Sequence, residues 1–347
     1  MIDAIAQFGM LLLVLLTGVE MDWASAKRVR RTALFSSLAG IILPFSCGFL
    51  LGEFLPEAML PHPAQRLLTA LFLAAALSIS SVKIVAMVTM EIDSGRRDIG
   101  QIILASAILD DTIGWVMIAF IGGLVSKGAR EVVDLSSTVL GTTLFLTLSF
   151  TVGRRVVAFV IRWANDHLRI EMPVITAIIV LMCAMALLTD HLGVHTMLGA
   201  FVVGLLIGQS PILAQHIKEQ LHGLVVAFFA PIFFAVAGLS INLAILRNGS
   251  LIELALGLIL TASFGKLVGC YLGGRLGGLN GREAIALALG MNARGSTEVI
   301  VASLGLSLGV LSQDLFTLIG VSLPNRKNHT LKNYLKTESS YKMLLLR

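Results

Sequence analysis

Apolar residues run along this chain in blocks too long for the helices of a soluble core, and hardly a charge falls inside them. Ten such blocks lie near Ala4–Val19, Ala33–Leu51, Leu67–Met90, Ile99–Val125, Val139–Val160, Val174–Leu188, Val194–Ile207, Leu224–Leu239, Leu251–Leu272 and Ala284–Leu308. An eleventh begins at Leu311 and stops at Leu323. Backbone polar groups in hydrocarbon must be satisfied within their own segment, and the short alternating strands of a membrane barrel are absent. Each block therefore predicts a membrane-spanning helix, and the fold class is an all-α polytopic membrane protein.

Two blocks are interrupted at their centres. "LSISSVK" sits in the middle of Leu67–Met90, and "MNARGSTE" in the middle of Ala284–Leu308. Small, polar and charged residues at mid-membrane depth predict discontinuous helices, whose unwound backbone and half-helix ends help hold an ion. The first interrupted block is the second of the trio within Ala33–Val125, and the other is the second of a trio opening at Leu251. This reads as an inverted repeat with an incomplete second copy.

The connecting segments alternate in charge. One set holds Lys27, Arg28, Arg30, Arg31, Arg96, Arg97, Arg154, Arg155, Arg162, Arg169, Lys218, Arg275 and Arg282; the other holds only Arg66, Lys127, Arg130 and Arg247. The positive-inside rule then places the first residue outside and the tail in the cytoplasm of a plasma (inner) membrane protein. Asp3 leads straight into the first block with no basic region before it, so no cleavable signal peptide is expected.

Composition agrees with the pattern. Of 347 residues, 56% are hydrophobic and only 14% charged, which excludes disordered, secreted disulfide-rich and DNA-binding proteins. The net charge of +5 belongs to the end of the chain. From Pro324 onward Arg326, Lys327, Lys332, Lys336, Lys342 and Arg347 face Glu338 alone, and the rest of the chain is balanced. The basic excess thus says nothing of a nucleic-acid partner, although such a tail can touch anionic lipid. Cys47, Cys183 and Cys270 lie inside apolar blocks without metal-like spacing and read as packing residues.

The charges inside the blocks carry the chemistry. Apart from Arg154 and Arg155, which the charge alternation assigns to a connecting segment, they are Lys83, Asp110, Asp111, Glu253, Lys266, Arg294 and Glu298. Each costs about 2.5–3.5 kcal/mol near a helix centre, so each should pair or face a cavity and mark an ion or proton route. Asp110 and Asp111, in "ASAILDDTIGWV", sit mid-block with no other charge between Asp98 and Lys127. Neighbours on a helix point about 100° apart, so one can face a partner while the other faces a cavity. Burial and a second carboxylate both favour holding a proton, which makes such a group able to trade a proton for a small cation. Lys266 needs a carboxylate, and Asp110 or Asp111 can supply it. Arg294 and Glu298 are four apart and pair on one helix face, while Lys83 is placed to neutralise the negative ends of half-helices. "HLGVH" has no third ligand and no Glu between His191 and His195, so metal binding is not expected there. The aspartate pair also resembles the metal-binding aspartates of membrane prenyltransferases, but their second Asp-rich motif is missing.

Taken in order, "FGMLLLVLLTGVEMD", "ALSISSVKIV", "ILDDT", "LGAFVVGLLIG", "FFAPIFFAVAGLSIN" and "GMNARGSTEVI" resemble the monovalent cation:proton antiporter-2 family, the bacterial sodium/hydrogen exchangers and their relatives, over about Met1 to Leu318. The resemblance implies the sodium/proton antiporter fold with two crossed broken helices, a homodimer, no enzyme activity and no cofactor. It implies that Asp111 binds the transported Na⁺ or the proton and that Asp110 pairs with Lys266. Ser80, Ser81 and backbone carbonyls would complete the cation's shell, with Lys83, Arg294 and Glu298 compensating charge at the broken helices. It further implies electrogenic exchange of Na⁺ for H⁺ by an elevator motion. The same fold with K⁺ as cargo, or a remnant that does not transport, are the alternatives. The family carries two helices before the point where this chain begins, and its pattern stops after "LSQDLFTLIG". The transmembrane domain is accordingly expected to be incomplete and to occupy residues 1–323, with 324–347 an atypical basic tail outside the fold.

Overall fold

The computed structural model describes residues 2–21, 29–91, 98–126, 132–167, 172–209, 215–242 and 249–321. The loop charges Lys27, Arg28, Arg96, Arg97, Lys127, Arg130, Arg169 and Arg247, and the tail 324–347, lie outside these residues. Among the described residues all regular structure is helical. Among the described residues, eight helical segments are long and apolar enough to cross a membrane, and two shorter apolar helices, Thr196–Gly208 and Ser296–Ser307, accompany them.

The chain divides into two compact units, one of Met1–Asp22 with Trp115–Ser240 and one of Trp23–Gly114 with Ile241–Arg347. In the first unit, α1 (Ile2–Val19) packs on α9 (Thr196–Gly208), and α9 on α8 (Met172–His191). Glycines let these backbones approach. A Cβ on Gly18 would lie 2.7 Å from the Leu205 amide nitrogen, and one on Gly204 would collide with the Leu15 carbonyl. His195 precedes α9, and its Nδ1 accepts the Met197 N–H at 3.3 Å. The second histidine of "HLGVH" therefore serves as a helix cap. Two spans of this unit carry a wider turn that the apolar pattern does not reveal. One is Ser149–Gly153, between α6 (Val132–Leu148) and α7 (Arg154–His167). The other is Val225–Phe229, between α10 (Gln215–Leu224) and α11 (Ala230–Leu239). Such turns insert one residue per turn and rotate the helix face beyond them.

The second unit is organised around α2 (Arg30–Glu53) and α12 (Gly249–Leu276). Gly265, Gly269 and Gly273 recur every fourth residue and form one bare stripe along α12, which Gly277 continues just past the helix end. A Cβ on Gly265 would lie 2.7 Å from Pro44 Cα, and one on Gly277 2.7 Å from Thr32 Cα. Small residues at this seam permit close backbone packing where lipid offers no hydrophobic drive for association. Against this pair pack α3 (Arg66–Ser78), α13 (Gly281–Met291) and α15 (Gln313–Val321), and α3 and α15 in turn contact α14 (Ser296–Ser307). The N-terminus of α13 is fixed by a reciprocal cap. Asn280 accepts the Glu283 N–H, and Glu283 accepts the Asn280 N–H.

Both interrupted blocks are broken helices. The first is α3, then Ile79, Ser80 and Ser81 in non-helical conformation, then α4 (Val82–Glu91). The second is α13, then residues 292–295, then α14. The aspartate pair lies on α5 (Asp98–Ser126), whose residues up to Gly114 belong to this unit.

Candidate ion site

The two breaks are bonded to each other. The Ser81 N–H donates to the Ala293 carbonyl at 2.8 Å, and the Ser80 hydroxyl donates to the Met291 carbonyl at 2.7 Å. Unwinding leaves these carbonyls without helical donors, and the serines of the opposite break supply them. Gly295 permits the approach, since a Cβ there would lie 3.0 Å from Ser81 Oγ and would collide with the end of Ile84.

Lys266, 2% exposed, projects from α12 to the end of α3. Its Nζ donates to both oxygens of Asp110, at 2.8 and 2.9 Å, and to the Ser78 carbonyl at 2.6 Å. The Ser80 N–H donates to Asp110 Oδ2 at 2.7 Å. One carboxylate thus joins α5, α12 and the α3 break through charge-assisted bonds. Gly114, one turn beyond Asp110, leaves room for the break, because a Cβ there would lie 2.6 Å from Ile79 Cγ1. Asp111 follows on the same helix and is 0% exposed.

A second cation reaches the same half-helix end. Arg294 donates from Nη2 to the Leu77 carbonyl at 3.2 Å and pairs through Nη1 with Glu298 Oε1. The last carbonyls of α3, at the negative end of its dipole, therefore receive Arg294 and Lys266 on consecutive residues. Glu298 lies in the first turn of α14, where the helix dipole favours an anion. Lys83 sits in the first turn of α4 and is partly exposed. Glu253 departs from the expectation for charges within apolar blocks. It lies near the start of α12 and is exposed, because the helix begins before the apolar block and carries Glu253 at its edge.

Ser80, Ser81, Asp110, Asp111, Lys266, Arg294 and Glu298 are all buried within this unit, drawn from α5, α12 and the two broken helices. Sequence reasoning passed over Gly114 and Gly295. The glycines had a legible signal only in their nearness to the polar centres.

Crossed broken helices with a buried acidic pair and lysine define the architecture of a secondary transporter for ions. The sodium/hydrogen exchanger transmembrane family model matches residues 1–323, and the chain belongs to that family. Among relatives, Cation/H(+) antiporter 19 of Arabidopsis thaliana is 28% identical over 319 residues, covering 92% of this chain and 40% of that protein. The Na(+)/H(+)-K(+) antiporter GerN of Bacillus cereus is 27% identical over 319 residues, covering 92% of this chain and 79% of that protein. The chain thus spans about two-fifths of the length of the plant relatives it matches. The fold is that of the sodium proton antiporter MjNhaP1 from Methanocaldococcus jannaschii, with a TM-score of 0.63 and 16% identity over 99% of this chain and 84% of that one.

Proposed function

We propose that this chain exchanges a monovalent cation, Na⁺ in the first instance, for protons across the plasma (inner) membrane. The observation that carries the reading is the full commitment of Asp110 to Lys266 and the Ser80 N–H, beside a second buried carboxylate on the same helix. Asp110 is the positioning group, and Asp111 holds either the proton or the dehydrated cation. Both ligands compete for one carboxylate, so exchange is coupled and neither passes alone. Ser80, Ser81 and break carbonyls are the hard oxygen donors that suit an alkali cation. Lys266 and Arg294 offset the negative end of α3, and Glu298 offsets the positive end of α14. The working protein is a homodimer with a fixed dimerisation panel and a mobile core that slides in an elevator-type cycle, with the first residue outside and the tail cytoplasmic.

A K⁺/H⁺ exchanger is the second reading, favoured by the pairing of Na⁺ and K⁺ in the name of the Bacillus relative. Proteoliposomes containing a pH-reporting dye separate the two. An imposed Na⁺ gradient is expected to drive protons the opposite way, faster than an equal K⁺ gradient. A larger K⁺ response would transfer the assignment to K⁺, and proton movement indifferent to every alkali cation would refute both.

A further inference from the structure

The bonds that lock the breaks together bracket one residue. Met291 accepts the Ser80 hydroxyl and Ala293 accepts the Ser81 N–H, with Asn292 between them. The Asn292 N–H is itself used, donating to the Ala288 carbonyl at 3.2 Å. Its side-chain Oδ1 is buried and accepts no hydrogen bond, and the hydroxyl of Ser81, a residue 1% exposed, has no partner either. Two neutral oxygens, one from each break, are therefore left available after the crossing has satisfied its backbone. Ser80 and Asp110 are spoken for, while Arg294 Nε and Glu298 Oε2, also unmatched, belong to the Arg294–Glu298 ion pair. Ser80 donates its hydroxyl to Met291 and its N–H to Asp110, and Asp110 is filled by Lys266. Buried oxygens are rarely left unmatched, and those that are call for an ion or water to use their lone pairs.

We propose that Asn292 Oδ1, with Ser81 Oγ, coordinates the transported alkali cation and sets which cation is preferred. The inference rests on the reading of Asp111 as the charged ligand. Neither oxygen carries charge, so together they adjust the size and affinity of the cation shell without supplying the carboxylate that competes for the proton. An amide carbonyl and a hydroxyl are hard donors of the kind that Na⁺, Li⁺ and K⁺ take. The reach of the asparagine decides how well each ion is wrapped.

The test is the KM for Na⁺, Li⁺ and K⁺ in proteoliposomes for Asn292→Leu, which keeps the volume and removes the oxygen, and for Asn292→Ser, which keeps an oxygen on a shorter stem. Asn292→Leu is expected to raise the Na⁺ KM by about 10-fold, the loss of one ligand, with the maximal rate at saturating cation held within about two-fold. Asn292→Ser is expected to change the ratio of Na⁺ to K⁺ KM values by about three-fold or more. If Asn292→Leu does not give a monodisperse protein, Asn292→Ser decides the matter alone. Unchanged KM ratios in a folded variant overturn the proposal and leave Asn292 with a water or packing role. Asp111→Asn is run alongside. Exchange in that variant would refute the site reading itself, whereas an inactive Asp111→Asn with unaltered Asn292 variants would refute only this inference.

Discussion

Asn in place of Asp111 is expected to abolish cation-driven proton movement, to below about one-hundredth of the wild-type rate, a loss of more than 2.7 kcal/mol or so at about 1.4 kcal/mol per decade. The amide has nearly the same shape, so the fold is not threatened. It can neither release a proton nor offer a negative charge to a dehydrated cation, and both halves of the exchange fail together. The measurement is dye-reported proton flux in proteoliposomes under an imposed Na⁺ gradient, with protein content matched. The specificity of this loss matters as much as its size, because Asp110 is one residue away and equally buried. Asp110 cannot substitute, since its two oxygens are already occupied by Lys266 and the Ser80 N–H.

Removing Lys266 should be the most damaging single change to stability. Lys266→Ala leaves the Asp110 carboxylate at 0% exposure without its cation and leaves the Ser78 carbonyl without its donor. Breaking one side of a buried pair typically costs about 3–5 kcal/mol, because the surviving charge is uncompensated. The double variant Asp110→Asn with Lys266→Met removes both charges and should recover most of that loss. Thermal unfolding of the detergent-purified proteins, followed by loss of the monodisperse peak, reads out the order. The single variant should melt well below the double. If the two melted together, the pair would not be the anchor described above.

The two broken helices were legible in the sequence for a definite reason. A serine run and the "MNARGSTE" segment cannot be tolerated at mid-membrane depth unless backbone and side chains satisfy one another there. Lys266 was legible as a cation in need of a carboxylate. The choice between Asp110 and Asp111 was not, since residue composition alone cannot say which of two neighbours points at another helix. The family resemblance named Asp110, and the geometry places the lysine on it. The target of Arg294 lies 217 residues away, at the Leu77 carbonyl, and no local pattern encodes a contact of that range. The glycine stripe of α12 could be read at its four-residue spacing, but the helix it meets, with Pro44 lying against Gly265, is again a tertiary fact. The wide turns at Ser149–Gly153 and Val225–Phe229 escape a hydropathy window because inserting one residue changes a helix's face and not its mean composition.

Competition between a proton and an alkali cation for Asp111 is the centre of this account, and proton release on cation binding measures it most directly. Adding NaCl to the detergent-purified protein in weakly buffered solution, with choline chloride as the ionic-strength control, should release up to about one proton per chain, because the ligand must be deprotonated to bind the ion. Asp111→Asn should release none. Sodium binding by the wild-type protein without proton release, or equal release from Asp111→Asn, would contradict it.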